Sequence, residues 1–204
     1  MTDNAFPVDA ILTFWFGQSL ENAEALKQES TRWFSGGSAL DREVSLRFGE
    51  LLKPVAVLPA DAFASPLVAL AGVLVLDQFP RHIFRGEAQA FAFDAKALQL
   101  VDNALERGWD SQLHPLQTSF LYMPLQHTEH LQRQQQSVQL FSKLAETAPP
   151  PYQQFIESNL GYARQHLDII ERFGRFPHRN HALGRTSTAA ETAYLNSTPS
   201  RFGQ

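Results

Sequence analysis

Two short segments hold most of the side chains able to do chemistry. Asp77-Gln-Phe-Pro-Arg-His-Ile-Phe-Arg85 carries one carboxylate, two guanidiniums and a histidine. Arg172-Phe-Gly-Arg-Phe-Pro-His-Arg-Asn-His-Ala-Leu-Gly-Arg185 carries four arginines, two histidines and an asparagine. The second is broken by Gly174, Pro177 and Gly184, so it is expected to be a shaped loop rather than one helix. Phe79-Pro80-Arg81-His82 and Phe176-Pro177-His178-Arg179 are similar in kind. Arginine presents a planar fork that matches carboxylate or phosphate, so the chemistry indicated is contact with a small anion. The candidate ligand-binding residues are Arg81, Arg85, Arg175, Arg179, Asn180 and Arg185. His127 and His178 are the candidate proton carriers, and Asp77, Asp94 and Glu129 the candidate orienting carboxylates.

A second reading stands beside this one. Asp77 near the end of an apolar helix requires a cationic partner, and structural pairing satisfies that need without any ligand. Arg172 can pair with Asp168 one turn back. Arg175, Arg179 and Arg185 lack an acid nearby in sequence, so their counter-ions are either distant carboxylates or a bound anion. The two segments are expected to meet, with Asp77 or Asp94 in reach of an arginine between Arg172 and Arg185.

Other chemistries find little support. Cysteine is absent, which removes thiol nucleophiles, thiolate metal sites and disulfides. The pairs His127/His130 and His178/His181 have a spacing of three without a third ligand, so no metal and no cofactor is expected. No nucleophile elbow, phosphate-binding loop or dinucleotide fingerprint occurs.

The net charge of −4 argues against a nucleic-acid surface. Against that balance the stretch 171–186 is basic, with four arginines against Glu171. The longest charge-free apolar run, about Pro66 to Leu76, falls short of the ~20 residues a membrane span needs. The start, Met-Thr-Asp-Asn-Ala-Phe-Pro, does not resemble a signal peptide, so a cytoplasmic protein is expected. The apolar pattern runs on without a low-complexity break, which predicts one domain over 1–204 with its core at about 11–195.

The elements that must position these residues read as helices. Helices are predicted over Pro7–Gly17, Ala23–Phe34 (closed by Ser35-Gly36-Gly37) and Asp41–Leu52. Ser65 caps an apolar helix that runs to about Phe79 and belongs at the centre of the fold. Its alternative is a buried strand at Val73–Leu76. A helix over Glu87–Arg107 has Phe91, Asp94, Leu98, Val101 and Leu105 on its inner stripe. Pro115 opens a helix that Pro124 should end or kink. Glu129–Ala145 follows, then a stiff Pro149-Pro150-Pro151 turn. Tyr152–Phe173 has Ile156, Leu160, Ala163, Leu167 and Ile170 inward and stops at Gly174. Thr188 and Glu191 form a capping box before a last short helix. The total is about nine helices.

Several of these stretches resemble a known family. They are Leu12-x-Phe-Trp-Phe-Gly17, Trp33-Phe34, Leu76-Asp-Gln-Phe-Pro-Arg81, Phe91-x-x-Asp94, Tyr122-x-Pro-x-x-His-x-Glu129, Arg172-Phe-Gly-Arg-Phe-Pro-His-Arg-Asn180 and Leu183-Gly-Arg185. They are similar to the bacterial domain-of-unknown-function family 924, over roughly Ile11 to Leu195. The resemblance implies an all-helical fold related to tetratricopeptide-like hairpins and implies no reaction. Where that pattern usually has asparagine after the first Phe-Pro-Arg, this chain has His82.

The expectation is therefore an all-α protein of stacked antiparallel helices. It would recognise a small anionic molecule in an arginine- and histidine-lined pocket that could also support general acid/base chemistry. The rival is a helical-repeat scaffold for a protein or peptide, in which the arginine segments are staples. The sequence names neither a ligand nor an oligomeric state.

Overall fold

The structure, a computed structural model, describes residues 6–35 and 37–197. The helices are α1 (Val8–Phe16), α2 (Ala23–Ser35), α3 (Gly37–Phe48), α4 (Leu52–Ala56), α5 (Pro66–Val73), α6 (Phe79–Ile83), α7 (Asp94–Glu106), α8 (Pro115–His127), α9 (Leu131–Thr147), α10 (Pro150–Phe173) and α11 (Ala189–Ser197). A tight turn joins α3 to α4, and a wide turn at Leu74–Gln78 joins α5 to α6. Counted as joined rods, the described residues form nine helices and no strand. Of the expected Ser35-Gly36-Gly37 stop, Gly36 lies outside the described residues.

The rod from Pro66 to Ile83 is the axis of the fold. Ser65 accepts a hydrogen bond from the Val68 amide at 3.4 Å and opens it. Every residue from Ala69 to Pro80 is buried, and α1, α3, α4, α7 and α8 pack around the rod. Leu70, Val73, Leu74, Val75, Leu76 and Phe79 are fully enclosed. Each contributes about 1.5–3 kcal/mol by leaving water, which outweighs the weak helix propensity of valine. The helical alternative therefore holds over the strand at Val73–Leu76.

The C-terminal half is a hairpin of long helices. Only Ala148 and Pro149 separate α9 from α10, so the two return alongside each other. Gly174, at φ 67°, ends α10 in the left-handed conformation that glycine adopts without penalty. A satellite cluster of Ile169, Ile170 and Phe176, joined by Phe173 and Tyr194, packs beyond the main core.

Six local expectations are corrected. The third helix begins at Gly37 rather than Asp41. Residues 87–93 are not α-helical, and α7 begins at Asp94 after a short turn at Ala88–Phe91. Its buried face is Ala97, Leu100, Val101 and Ala104, a phase that leaves Phe91, Leu98 and Leu105 only partly covered. Pro124 does not end α8, which continues to His127. Pro150 and Pro151 belong to the first turn of α10, where the missing amide hydrogens cost nothing, instead of to a separate stiff turn before it. In α10 the buried face includes Asn159 and His166, while Leu167 is only half-buried.

Gly72 marks the close crossing of α5 and α7. A Cβ there would lie 2.6 Å from Phe63 Cε1 and 2.8 Å from Leu100 Cδ1. Gly72→Ala is expected to cost about 1–3 kcal/mol by overpacking. Urea denaturation measures it, and a loss below ~0.5 kcal/mol would show that the two helices are not so tightly seated.

Candidate functional site

The site starts from a carboxylate buried inside the apolar rod. Asp77 is fully enclosed and lies in the wide turn, where the Phe79 amide reaches back five residues to the Leu74 carbonyl. Pro80 just beyond has no amide hydrogen to give, and such wide turns often mark functional positions. Three side chains answer the buried charge. Gln78 Nε2 donates to Asp77 Oδ2 at 2.6 Å, and His127 Nδ1 lies 2.8 Å from Oδ1. Arg81 NH1 lies 3.2 Å from Oδ1 and also donates to the Asp77 carbonyl oxygen at 2.6 Å. Burial alone would raise the Asp77 pKa, but the Arg81 charge and the His127 and Gln78 contacts outweigh it and hold the acid well below its ordinary range.

Arg81 carries the arrangement outward. Its guanidinium forms a fork–fork pair with Asp94, at 2.9 and 3.0 Å. Asp94 stands in the first turn of α7, where a carboxylate is favoured by the helix dipole. Arg179 reaches the same carboxylate at 3.4 Å, so the two motif segments meet at Asp94. The Arg179 guanidinium is sandwiched over Phe91 and Phe176, at 4.4 and 4.6 Å from the ring centres. Burial and the nearby Arg81 charge push its pKa down to about 10.

The rest of the second segment is tied to protein acids. Glu129, in the α8–α9 connection, accepts two hydrogen bonds from Arg185 (2.6 and 2.8 Å) and one from the Phe176 amide (2.8 Å). Arg175 pairs with Glu191 at 2.6 and 2.8 Å, and Glu191 also closes the capping box with Thr188. Asn180 donates to Ser187 Oγ at 3.0 Å, and Arg172 pairs with Asp168 at 3.5 Å. His178 sits in a single turn at Pro177–Arg179, its pKa driven down to about 3 by burial and the Arg179 charge.

A cavity of about 980 Å³ opens between α2, the first motif segment, α8 and α10. Gln78, Arg81, His82 and Arg85 line it from the first segment, and Met123, Gln126 and His127 from α8. From α10 it receives Pro151, Phe155, Asn159, Tyr162 and His166, and from α2 Lys27, Trp33 and Phe34. Of the sequence candidates, Arg81, Arg85 and His127 line this cavity. Asp77 and Asp94 stand behind Arg81, while Arg175, Arg179, Asn180, Arg185, Glu129 and His178 are not part of its wall. Arg85 is held by Asp41 of α3 at 2.7 and 3.0 Å, and His82 Nδ1 lies 2.8 Å from the same carboxylate. Asp41, Asn159, His166 and Lys27 escaped the sequence reading, which names His82 but gives it no role at the site. For Asn159 and His166 a signal existed, because both fall on the stripe that carries Ile156, Ala163 and Ile170.

The ring nitrogens have defined roles. Burial and the Arg81 charge lower the His127 pKa, so the ring is neutral at pH 7. An ionised Asp77 can only accept, so the Nδ1 hydrogen of His127 points to it and Nε2 keeps its lone pair. His82 and His166 are likewise pushed toward neutrality, chiefly by burial. Among the described residues, no group of three His, Cys, Asp or Glu side chains is placed to hold a metal.

Two measurements test this site. Asp77→Ala is expected to cost about 3–5 kcal/mol in chemical denaturation, because Arg81 and His127 lose a buried partner. A loss under ~1 kcal/mol would contradict a buried ionised pair. The histidines set the pH dependence. His82, His127, His166 and His178 all have folded pKa values below the unfolded 6.5, so the unfolded chain binds more protons in acid. Their contribution is complete above pH 6.5 and is lost as pH falls toward the folded values, about 3 for His178. Stability should therefore drop as pH falls from 6.5 toward about 3, and His178→Phe should flatten that slope. A slope unchanged by His178→Phe would show that this histidine titrates normally.

Comparison with known proteins bears on the fold and leaves the chemistry open. Among curated proteins no match was found. A solved structure of a protein of unknown function from Agrobacterium tumefaciens is similar, with 33% identity and a TM-score of 0.79, covering 94% of this chain and 98% of that one. The family model described as a bacterial protein of unknown function (DUF924) matches residues 11–199, from α1 past the end of α11. With a match of that extent and a relative that close over nearly its whole length, the chain belongs to the DUF924 family.

Proposed function

We propose that the cavity between α2 and α10 binds a small anionic molecule, with His127 as a general base toward it. One observation carries this reading. Among the described residues, the cavity wall contains Lys27, Arg81 and Arg85 beside His82, His127 and His166, and no aspartate or glutamate, in a chain whose net charge is −4. Asp94 and Asp41 lie behind Arg81 and Arg85 and fix the direction of each guanidinium. A preorganised fork loses less freedom on contact with a carboxylate or phosphate than a mobile one. Asp77 does the same for His127, whose Nε2 lone pair is the group left to take a proton. The depressed His127 pKa keeps that lone pair available below pH 6.5.

The rival reading draws on a different observation. Arg175 and Arg185, expected to touch a ligand, are engaged by Glu191 and Glu129. Those contacts favour a stapling role for the second segment, as in a tetratricopeptide-like scaffold, and the proposed anion contacts therefore rest on Lys27, Arg81 and Arg85.

A thermal-shift titration separates the two. Phosphates or carboxylates that bind the folded state should raise the melting temperature with concentration, by mass action. Lys27 is exposed at the rim, so Lys27→Met should leave the free protein's melting temperature unchanged and weaken anion affinity roughly two- to fivefold. Absence of any shift across the panel, or equal shifts with Lys27→Met, would reject the anion reading.

A further inference from the structure

The cavity wall has a second character besides its charge. Three phenylalanines step from the core to the opening. Phe120 is fully enclosed, Phe155 is half-buried and Phe34 is 55% exposed. Phe120 and Phe155 lie 6.3 Å apart with planes inclined by 30°, and Phe155 and Phe34 lie 6.4 Å apart with planes inclined by 29°. The rings thus form a near-parallel ladder that ends on an exposed ring at the cavity mouth. Trp33 braces it, edge-on to Phe155 at 5.9 Å and to Phe34 at 6.3 Å. Phe34 leaves apolar ring surface on this concave wall open to a ligand.

Size points the same way. At about 980 Å³ the cavity is at the top of the range for drug-sized ligands and far larger than an inorganic anion requires. The basic side chains account for a charged end of the occupant, and the aromatic ladder accounts for the rest. Building on the anion reading above, we infer that the ligand is an aromatic anion. Its carboxylate or phosphate faces Lys27, Arg81 and Arg85, and its ring stacks on Phe34 as the next step of the ladder. Offset or tilted stacking of this kind adds to plain area burial and distinguishes an aromatic ring from a saturated one of equal size.

The test uses the protein as it exists, with its intrinsic tryptophan fluorescence and melting temperature as readouts. Phenylphosphonate, cyclohexylphosphonate, methylphosphonate, benzoate and benzyl alcohol are titrated into the wild type and into Phe34→Leu. Phe34 is exposed, so this variant is expected to fold, and its unliganded melting curve verifies that. Phenylphosphonate or benzoate should bind at least roughly threefold more tightly than the saturated cyclohexyl compound, and Phe34→Leu should remove that preference. Methylphosphonate should bind more weakly than either and be indifferent to Phe34→Leu. Equal affinity for the phenyl and cyclohexyl compounds, or a phenyl preference that survives Phe34→Leu, would overturn the aromatic assignment while leaving anion binding intact. Benzyl alcohol binding as tightly as phenylphosphonate would instead overturn the anion reading. Failure of every probe to bind would overturn both.

Discussion

A charge placed where the fold can least tolerate it organises this protein. Asp77 sits in the middle of a rod whose neighbours from Ala69 to Pro80 are all buried. An isolated carboxylate in such surroundings would simply take up a proton, because desolvation penalises the charged form by several kcal/mol. It stays ionised because Arg81, Gln78 and His127 converge on it. That convergence has structural consequences. Arg81 must lie back along its own helix, α8 must run through Pro124 to deliver His127, and α7 must begin where Asp94 can meet the far side of Arg81.

From Asp94 the ionic contacts continue into the second segment. Arg179 shares that carboxylate, and the loop that bears Arg179 is held by Glu129 through Arg185 and the Phe176 amide. Glu191 then holds Arg175 and caps α11. Asp94 at the start of α7, Glu129 in the α8–α9 connection and Glu191 at the start of α11 therefore lock a loop whose one fully buried ring is Phe176. Two guanidiniums share Asp94, and Arg179, whose pKa burial and the Arg81 charge lower, is seated between two phenylalanine rings. Cation–π contact replaces part of the hydration that this arginine gives up.

The candidate site is where this ionic frame meets the aromatic core. The frame orients Arg81 and His127 toward a cavity, and the core supplies Trp33, Phe34 and Phe155 to its other walls. A neutral, oriented imidazole beside guanidiniums whose carboxylates lie behind them is suited to handling an anion. The same residues also hold the fold together. Substitutions of Asp77 or Arg81 would therefore confound stability with binding, which makes the rim residues Lys27 and Phe34 the more informative ones to change.

Much of the architecture was legible in the residues alone. Apolar spacing, proline starts and glycine stops were enough for an all-helical chain, because these signals act within one or two turns. The cap at Ser65, the stop at Gly174 and the Thr188–Glu191 box are of this kind. The two arginine segments stood out by composition, and their meeting at Asp77 or Asp94 followed from the need to pair buried charge; the structure places it at Asp94. Phase was harder. The turn at residues 87–93 and the continuation through Pro124 depend on what packs against those backbones, not on local preference. Which arginines face the cavity was decided only in three dimensions. Glu191 lies 16 residues from Arg175, Glu129 lies 56 from Arg185, and Asp41 lies 44 from Arg85. Charge pairing acts through space over a few ångströms and is indifferent to separation along the chain. The cavity itself, with Lys27, Phe34, Phe155 and His166 on its walls, exists only because α2 and α10 are brought to opposite sides of it by the packing of the core.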